Sequence, residues 1–388
     1  MLESNILAMR KFVAPEFVYG AGALQLAGQY ATNLGAGKVL LVSDEGVAKA
    51  GWTDLVAESL EQAGLPLVLF TDVSPNPRTK EVMAGTELFK QTGCDAIVAV
   101  GGGSPMDLAK GVGIVAANGG HILDYEGADK VGAPIPPLIC LPTTAGSSAD
   151  VSQFCIIANP QKEVKIAIVS KAVVPDVALI DPLTTTTKDP YLTACTGLDA
   201  LTHAVEAYVS TANSPITDLH ALEAIRLVSK YLAQTVAKPK DKMLRAKMML
   251  ASLEAGLAFS NAILGAVHAM AHSLGGFLDL PHGECNAILL EHVVEYNFPK
   301  ARSRYAQVAR ALGVELTGMS DNELLESLLA RLKNLRKQCG VTRTLSQLGV
   351  GPKNLSTLAE MAYADVCLVT NPRQAQHADL VAIFQHAL

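Results

Sequence analysis

Up to about residue 183 the chain alternates short apolar runs with longer segments in which Ala, Leu and Val recur every three or four positions. KVLLVS (38–43), PLVLFT (66–71), AIVAV (96–100) and PLICL (137–141) are almost unbroken by polar residues. Runs of that length and character suit strands buried on both faces. The stretches 46–63 and 79–92 between them have helical spacing. Such alternation predicts a parallel sheet with helices on both sides, an α/β domain.

The pattern changes at DPLTTTTKDP (181–190). Beyond it strand signals nearly vanish, and Ala/Leu-rich stretches with helical periodicity follow at 191–210, 215–237 and 243–259 and onward to the C-terminus. Prolines are sparse there, as long helices require. The expected division is therefore an α/β domain over 1–187 followed by an all-helical domain over 188–388. No repeat of 20 to 50 residues is visible.

Composition narrows the function. The 388 residues are 49% apolar and 18% charged, with a net charge of −6, and contain no long Lys/Arg block. That balance lacks the positive footprint a phosphate backbone needs, so nucleic acid is not an expected partner. No stretch reaches the ~20 apolar residues of a membrane span. The start, MLESNILAMRKF, does not resemble a signal peptide. The seven cysteines are scattered and never paired as CxxC, which points to a reducing, cytoplasmic setting rather than a disulfide framework.

The strand AIVAV runs into GGGSPMDLAKG (101–111). Glycines there let backbone approach a ligand, and Ser104-Pro105 opens a helix whose free N–H groups suit a pyrophosphate. Asp44, after KVLLVS, could accept from ribose hydroxyls or merely cap a helix. PTTAGSSADVS (142–152) follows a further strand and gathers small hydroxyl residues. The acidic residue precedes the glycine loop, the reverse of the usual fingerprint, so the nucleotide fold is expected to be non-standard.

The helical half holds a second constellation. In GLDALTHAVEAY, Asp199 and His203 are four apart, on one helix face. In VHAMAHSLGGFLDLPHGECN, His268 and His272 repeat the spacing, and His282 follows a Gly-Gly break and a proline. One carboxylate and three or four imidazoles come within reach of one cavity. Buried ionisable groups are costly unless paired or metal-bound, and this donor set suits zinc, iron(II), nickel or cobalt over calcium or magnesium. A divalent cation acidifies an alcohol by several units and polarises a carbonyl, and beside a nicotinamide this becomes hydride transfer.

GGGSPMDLAKG, PTTAGSSADVS, TACTGLDALTHAVEAYVS and GLAFSNAILGAVHAMAHSLGGFLDLPHGECNAILLEHV closely resemble the iron-containing (group III) alcohol dehydrogenases, from about Phe12 through NPR (371–373). The resemblance implies the dehydroquinate synthase-like two-domain architecture, with NAD and a divalent metal, typically Fe2+ though Zn2+ or another is open, in an interdomain cleft. It implies Asp199, His203, His268 and His282 as metal ligands and His272 as a neighbour that contacts nicotinamide or substrate and relays a proton. It places Asp44 at the adenosine ribose, where a carboxylate favours NAD over NADP. Gly102, Gly103 and Ser104 fall at the pyrophosphate, and Thr143, Thr144, Ser152, Lys165 and Leu183 at the remaining nucleotide contacts. Phe154, Phe259 and Cys367 fall where the family lines its substrate pocket, which suits a small aliphatic alcohol or aldehyde. Dimers or larger homo-oligomers are implied, built partly through strands near KFVAPEFVYG. The family loop commonly reads AGTGSEVT or AGTAAEVT; here Asp150 and Ser152 replace Glu and Thr.

Two other reactions fit the same plan. A lyase or cyclase of dehydroquinate-synthase type would need Lys or Arg around the metal, and the windows 199–210 and 259–286 contain neither. A glycerol dehydrogenase-like polyol oxidoreductase would lack the full four-ligand pattern.

Overall fold

The computed structural model describes residues 8–388. The signal-peptide reading rests partly on residues 1–7, which lie outside that range. The chain forms two compact units, one over 13–187 and one over 188–388. The described residues up to Phe12 group with the second unit rather than the first. They do so because Arg10 Nε donates to the Asn213 carbonyl (3.3 Å) and Phe12 stacks on His220.

In the first unit, strands β1 (Glu16–Tyr19), β2 (Val39–Val42), β3 (Leu67–Phe70), β4 (Ala96–Gly101), β6 (Leu138–Pro142) and β9 (Val177–Ile180) form one sheet in the order β1-β9-β6-β4-β2-β3, every pair parallel. Its central strands alternate between two cores. Leu40, Val42, Ile97, Ala99, Leu138 and Cys140 enter one, while Val39, Leu41, Val98, Val100, Ile139 and Leu141 enter the other. This is why those runs are apolar at every position.

Helices α1 (Ala27–Asn33), α2 (Glu45–Lys49), α3 (Trp52–Gln62), α4 (Thr79–Thr92) and α5 (Gly103–Asn118) cover the two faces. The expected single helix over 46–63 is two, because Gly51 adopts φ 83° and ends the first. A second, three-stranded sheet, absent from the sequence reading, joins β5 (Gly127–Ala128), β8 (Val164–Val169) and β7 (Phe154–Asn159), with β7 and β8 antiparallel.

The strand order explains the reversed fingerprint. The chain leaves β2 for β3 on one side, then crosses back to β4 on the other. The switch point of this doubly wound sheet therefore lies between β2 and β4, and ligands bind beyond the carboxyl ends of strands at such a point. Asp44 follows β2 and the glycine loop follows β4, so the acidic residue must come first in the chain.

Asp150, in the loop after β6, gives this unit a pH dependence. Burial pushes its carboxyl up to about 6, with its own backbone amide and Lys110 offsetting part of the effect. The neutral form is thus favoured in the fold, against about 3.9 for an exposed aspartate. Its contribution is fully present below about pH 4 and is lost as pH rises through about 6. Between pH 5 and 7.5 the wild type is expected to lose about 1 kcal/mol relative to Asp150→Asn. Urea unfolding of both at the two pH values checks this; a constant gap refutes it.

The second unit is helical: α6 (Pro190–Val209), α7 (Pro215–Ala237), α8 (Lys242–Ala262), α9 (Ala266–Phe277), α10 (His282–Ala311), α11 (Asp321–Gln338), α12 (Leu355–Ala364) and α13 (His377–Ala387). Asp189 caps α6 by accepting from the Leu192 amide (2.9 Å), with Pro190 at the first helical position. Glycines set the close approaches. A Cβ on Gly197 would lie 2.3 Å from Leu232, and one on Gly283 would lie 2.7 Å from the Cys195 carbonyl oxygen. Helices α8 and α9 meet at 100°. Ile263 takes φ 61° at the break, which a β-branched residue rarely does. The carbonyls freed there are received by hydroxyls, Ser210 bonding Ala262 (2.5 Å) and Thr370 bonding Leu264 (2.6 Å). Among the described residues no single helix is long and apolar enough to cross a membrane.

Candidate active site

At the carboxyl ends of β4 and β6 the two loops pack tightly. A Cβ on Gly102 would sit 3.2 Å from the Thr144 methyl, and one on Gly103 would sit 3.0 Å from Ser147. Gly101 takes φ 157° and a Cβ there would strike Pro105 at 2.6 Å. Helix α5 starts on Gly102, which has no side chain to cap it, so its leading amides remain suited to an anion. Ser104 hydroxyl donates to the Pro75 carbonyl (2.5 Å). The Thr143 amide donates to Gly101 O (2.7 Å), and its buried hydroxyl has no partner. That orphan and the uncapped helix are what a nucleotide would satisfy.

Other expected nucleotide contacts already have structural work. Asp44 Oδ1 accepts the Val47 amide (2.9 Å), so the cap reading holds for that oxygen. Ser152 is buried against Lys110, whose ammonium reaches the Ser152 carbonyl at 2.9 Å and its hydroxyl at 3.4 Å. Lys110 also donates to the Phe154 carbonyl (2.8 Å), which fixes Phe154 at the start of β7. Lys165 lies on β8, opposite Ala158. Leu183 opens a short 3-10 segment by donating its amide to Asp181 (2.9 Å).

In the helical unit, Asp199 Oδ1 lies 3.7 Å from His268 Nε2 and 3.8 Å from His282 Nε2. The donor atoms of these three residues all lie within 4.8 Å of one another. A carboxylate oxygen and two imidazole nitrogens without thiolate fit Fe2+, Zn2+, Co2+ or Ni2+. His203 is not in this converged trio. Its ring is sandwiched between Phe259 (4.2 Å) and His268 (4.4 Å). Although burial alone would raise the Asp199 carboxyl, His203, His268 and His282 together hold it well below the usual carboxylate range.

Two of the histidines are held from behind by carboxylates that the sequence did not single out. Glu206 Oε2 is 2.5 Å from His268 Nδ1, and its Oε1 accepts the Val267 amide (2.7 Å). Asp365 Oδ2 is 2.8 Å from His272 Nδ1, while its Oδ1 accepts the Cys367 amide (2.7 Å). A carboxylate on Nδ1 fixes the tautomer and leaves the Nε2 lone pair facing forward. Burial would lower His268, but its bonds to Asp199 and Glu206 push it up to about 9. Glu206 was discoverable, since it stands on the face of Asp199 and His203, three residues beyond the latter; Asp365, 93 positions from its partner, carried no such signal.

His272 stacks against His282 at 5.4 Å and belongs to a separate group with Asp365 and Cys367. Burial pushes the Cys367 thiol well up, so it behaves as an apolar lining group.

Residues 14–182 match the family model for iron-containing alcohol dehydrogenase, and 193–388 match the C-terminal model of the same family. The chain belongs to the iron-containing alcohol dehydrogenases. It is 41% identical to the 1,3-propanediol dehydrogenase of Klebsiella pneumoniae over 95% of this chain and 96% of that one. Identity to alcohol dehydrogenase 4 of Schizosaccharomyces pombe is 42%, over 99% and 90% of the two chains. A solved 1,3-propanediol oxidoreductase superposes with a TM-score of 0.95 at 40% identity, covering 98% of this chain and all of that one. As an iron-containing alcohol dehydrogenase the protein is an oxidoreductase, and the lyase or cyclase alternative is not favoured. Its two-part architecture, a parallel sheet with flanking helices followed by a helical region, is that of the family.

Proposed function

We propose that the protein interconverts short-chain primary alcohols and aldehydes using NAD and Fe2+, with Asp199, His203, His268 and His282 holding the metal. The convergence of Asp199 Oδ1, His268 Nε2 and His282 Nε2 carries this reading. The metal, when bound, supplies Lewis-acid polarisation of the alcohol or carbonyl oxygen. Glu206 and Asp365 set the tautomers of His268 and His272. His272, with its Nδ1 committed to Asp365, holds and passes a proton at Nε2. The amides opening α5, with the Thr143 hydroxyl, bind the cofactor's pyrophosphate region, and the Asp44 carboxylate disfavours a 2′-phosphate. Phe259 and Cys367, both buried and apolar, suit an aliphatic chain over a polyol on the substrate side of the metal. Seven buried cysteines, none of them in a disulfide, support a cytoplasmic setting. Exposed Phe17 and Tyr19 on the edge strand β1 support a homodimer or larger assembly.

The test is NADH formation from ethanol, 1-butanol and 1,2-propanediol after anaerobic Fe2+ reconstitution. Turnover is expected with NAD in preference to NADP, abolished by a chelator and restored by Fe2+. Absence of metal-dependent turnover on any short alcohol or aldehyde overturns the proposal.

A further inference from the structure

Asn286 lies one helical turn after His282 on α10 and is fully buried. Its amide nitrogen is 2.7 Å from Asp199 Oδ1, 3.1 Å from His268 Nε2 and 3.2 Å from His282 Nε2. One N–H2 group thus meets all three atoms of the converged trio. Its carbonyl end, Asn286 Oδ1, is buried with no hydrogen-bond partner. Leaving such an acceptor unmade costs about 1–3 kcal/mol, so packing alone does not explain an asparagine here; an apolar side chain would fill the space without that cost.

The lone pairs decide what the amide does. A neutral imidazole has one in-plane lone pair at Nε2, which accepts from Asn286 or binds a cation but cannot do both. A carboxylate oxygen has two, and can do both at once. Of the three contacts, only that to Asp199 is compatible with a loaded site. It is also the shortest, and it runs to a charged acceptor, where a hydrogen bond contributes about 1.5–3 kcal/mol against about 1 for a neutral pair.

We propose that Asn286 is a positioning residue for the metal: its amide nitrogen donates to Asp199 Oδ1 and aims that oxygen at the point where His268 and His282 converge. The second N–H of the same amide faces the two imidazole nitrogens, an approach that a bound cation would displace. The inference rests on the ligand reading proposed above.

The test is Co2+ binding to the full-length, metal-stripped protein, followed by visible absorption and by chelator competition. Asn286→Ala is expected to bind Co2+ about 10–100-fold more weakly, the usual cost of losing an outer support of a ligand, with an altered visible band. Asn286→Ser, which keeps a small donor and disturbs the core less, falls between Ala and wild type. Ile288→Ala, a buried apolar truncation on the same helix, lowers the melting temperature and leaves Co2+ affinity unchanged. Asn286→Ala and Asn286→Ser binding as tightly as wild type, or more tightly, overturns the proposal; tighter binding would make Asn286 a competitor for the site. If instead wild type takes up no Co2+, or His268→Ala binds it as well as wild type, the ligand reading itself falls.

Discussion

His268→Ala is expected to strip the protein of divalent metal, whereas His272→Ala retains the metal and loses rate. The two histidines are one turn apart on α9, both buried, and in sequence they are indistinguishable. Their surroundings separate them. His268 Nε2 lies 3.7 Å from Asp199 and is backed by Glu206, so its removal takes one nitrogen out of the trio. His272 is backed by Asp365 and falls in a different group of donors. Losing a direct ligand should weaken binding by at least about 100-fold, beyond the 10–100-fold cost of losing an outer support. Losing a proton relay costs about 10²–10⁴ in rate. Metal content after dialysis and kcat with saturating Fe2+ measure the two separately. Equal metal loss in both variants would show the ligand assignment to be wrong.

What the sequence made legible follows from burial. β2, β4 and β6 are readable because a sheet covered on both faces needs apolar side chains at every position. Helices such as Thr79–Thr92 and Pro215–Ala237 are readable because one face stays wet and periodicity survives. The split at Gly51 escaped because one left-handed residue does not interrupt the spacing of apolar positions. The β7–β8 hairpin shows in the sequence only as FCIIAN and VKIAIV flanking a polar turn, two six-residue segments beside a hydroxyl-rich loop.

The site divides in the same way. The donors Asp199, His268 and His282 announce themselves by residue type and spacing. Their supports are quieter: Glu206 shares the helix face of Asp199 and His203, but an asparagine or carboxylate is ordinarily a solvated residue, and the fold is what packs Asn286 and Asp365 against histidines. Ser152 and Asp44 illustrate the converse. Their residue types suit a nucleotide, yet the structure gives Ser152 to Lys110 and one Asp44 oxygen to a helix cap.

Glu206 should show the largest combined effect on stability and metal binding. Helix α9 begins on Gly265, which has no side chain to cap it, and a Cβ there would lie 2.9 Å from both Asn371 Oδ1 and Glu206 Oε1. Those two side chains cap the helix instead, Asn371 accepting from the Ala266 amide (3.2 Å) and Glu206 from the Val267 amide (2.7 Å). Glu206→Ala leaves a buried amide and the His268 Nδ1–H without acceptors. Breaking a buried pair of this kind costs about 3–5 kcal/mol, and metal affinity should fall about 10–100-fold with it. Glu206→Gln separates the two roles. Its carbonyl can still accept from Val267, but its NH2 faces His268 Nδ1 and forces the imidazole into the opposite tautomer, with the proton on Nε2 where the metal must bind. Gln should therefore recover most of the stability in urea unfolding while metal retention stays low. If it binds metal as tightly as wild type, Glu206 acts only as a helix cap and the tautomer argument fails.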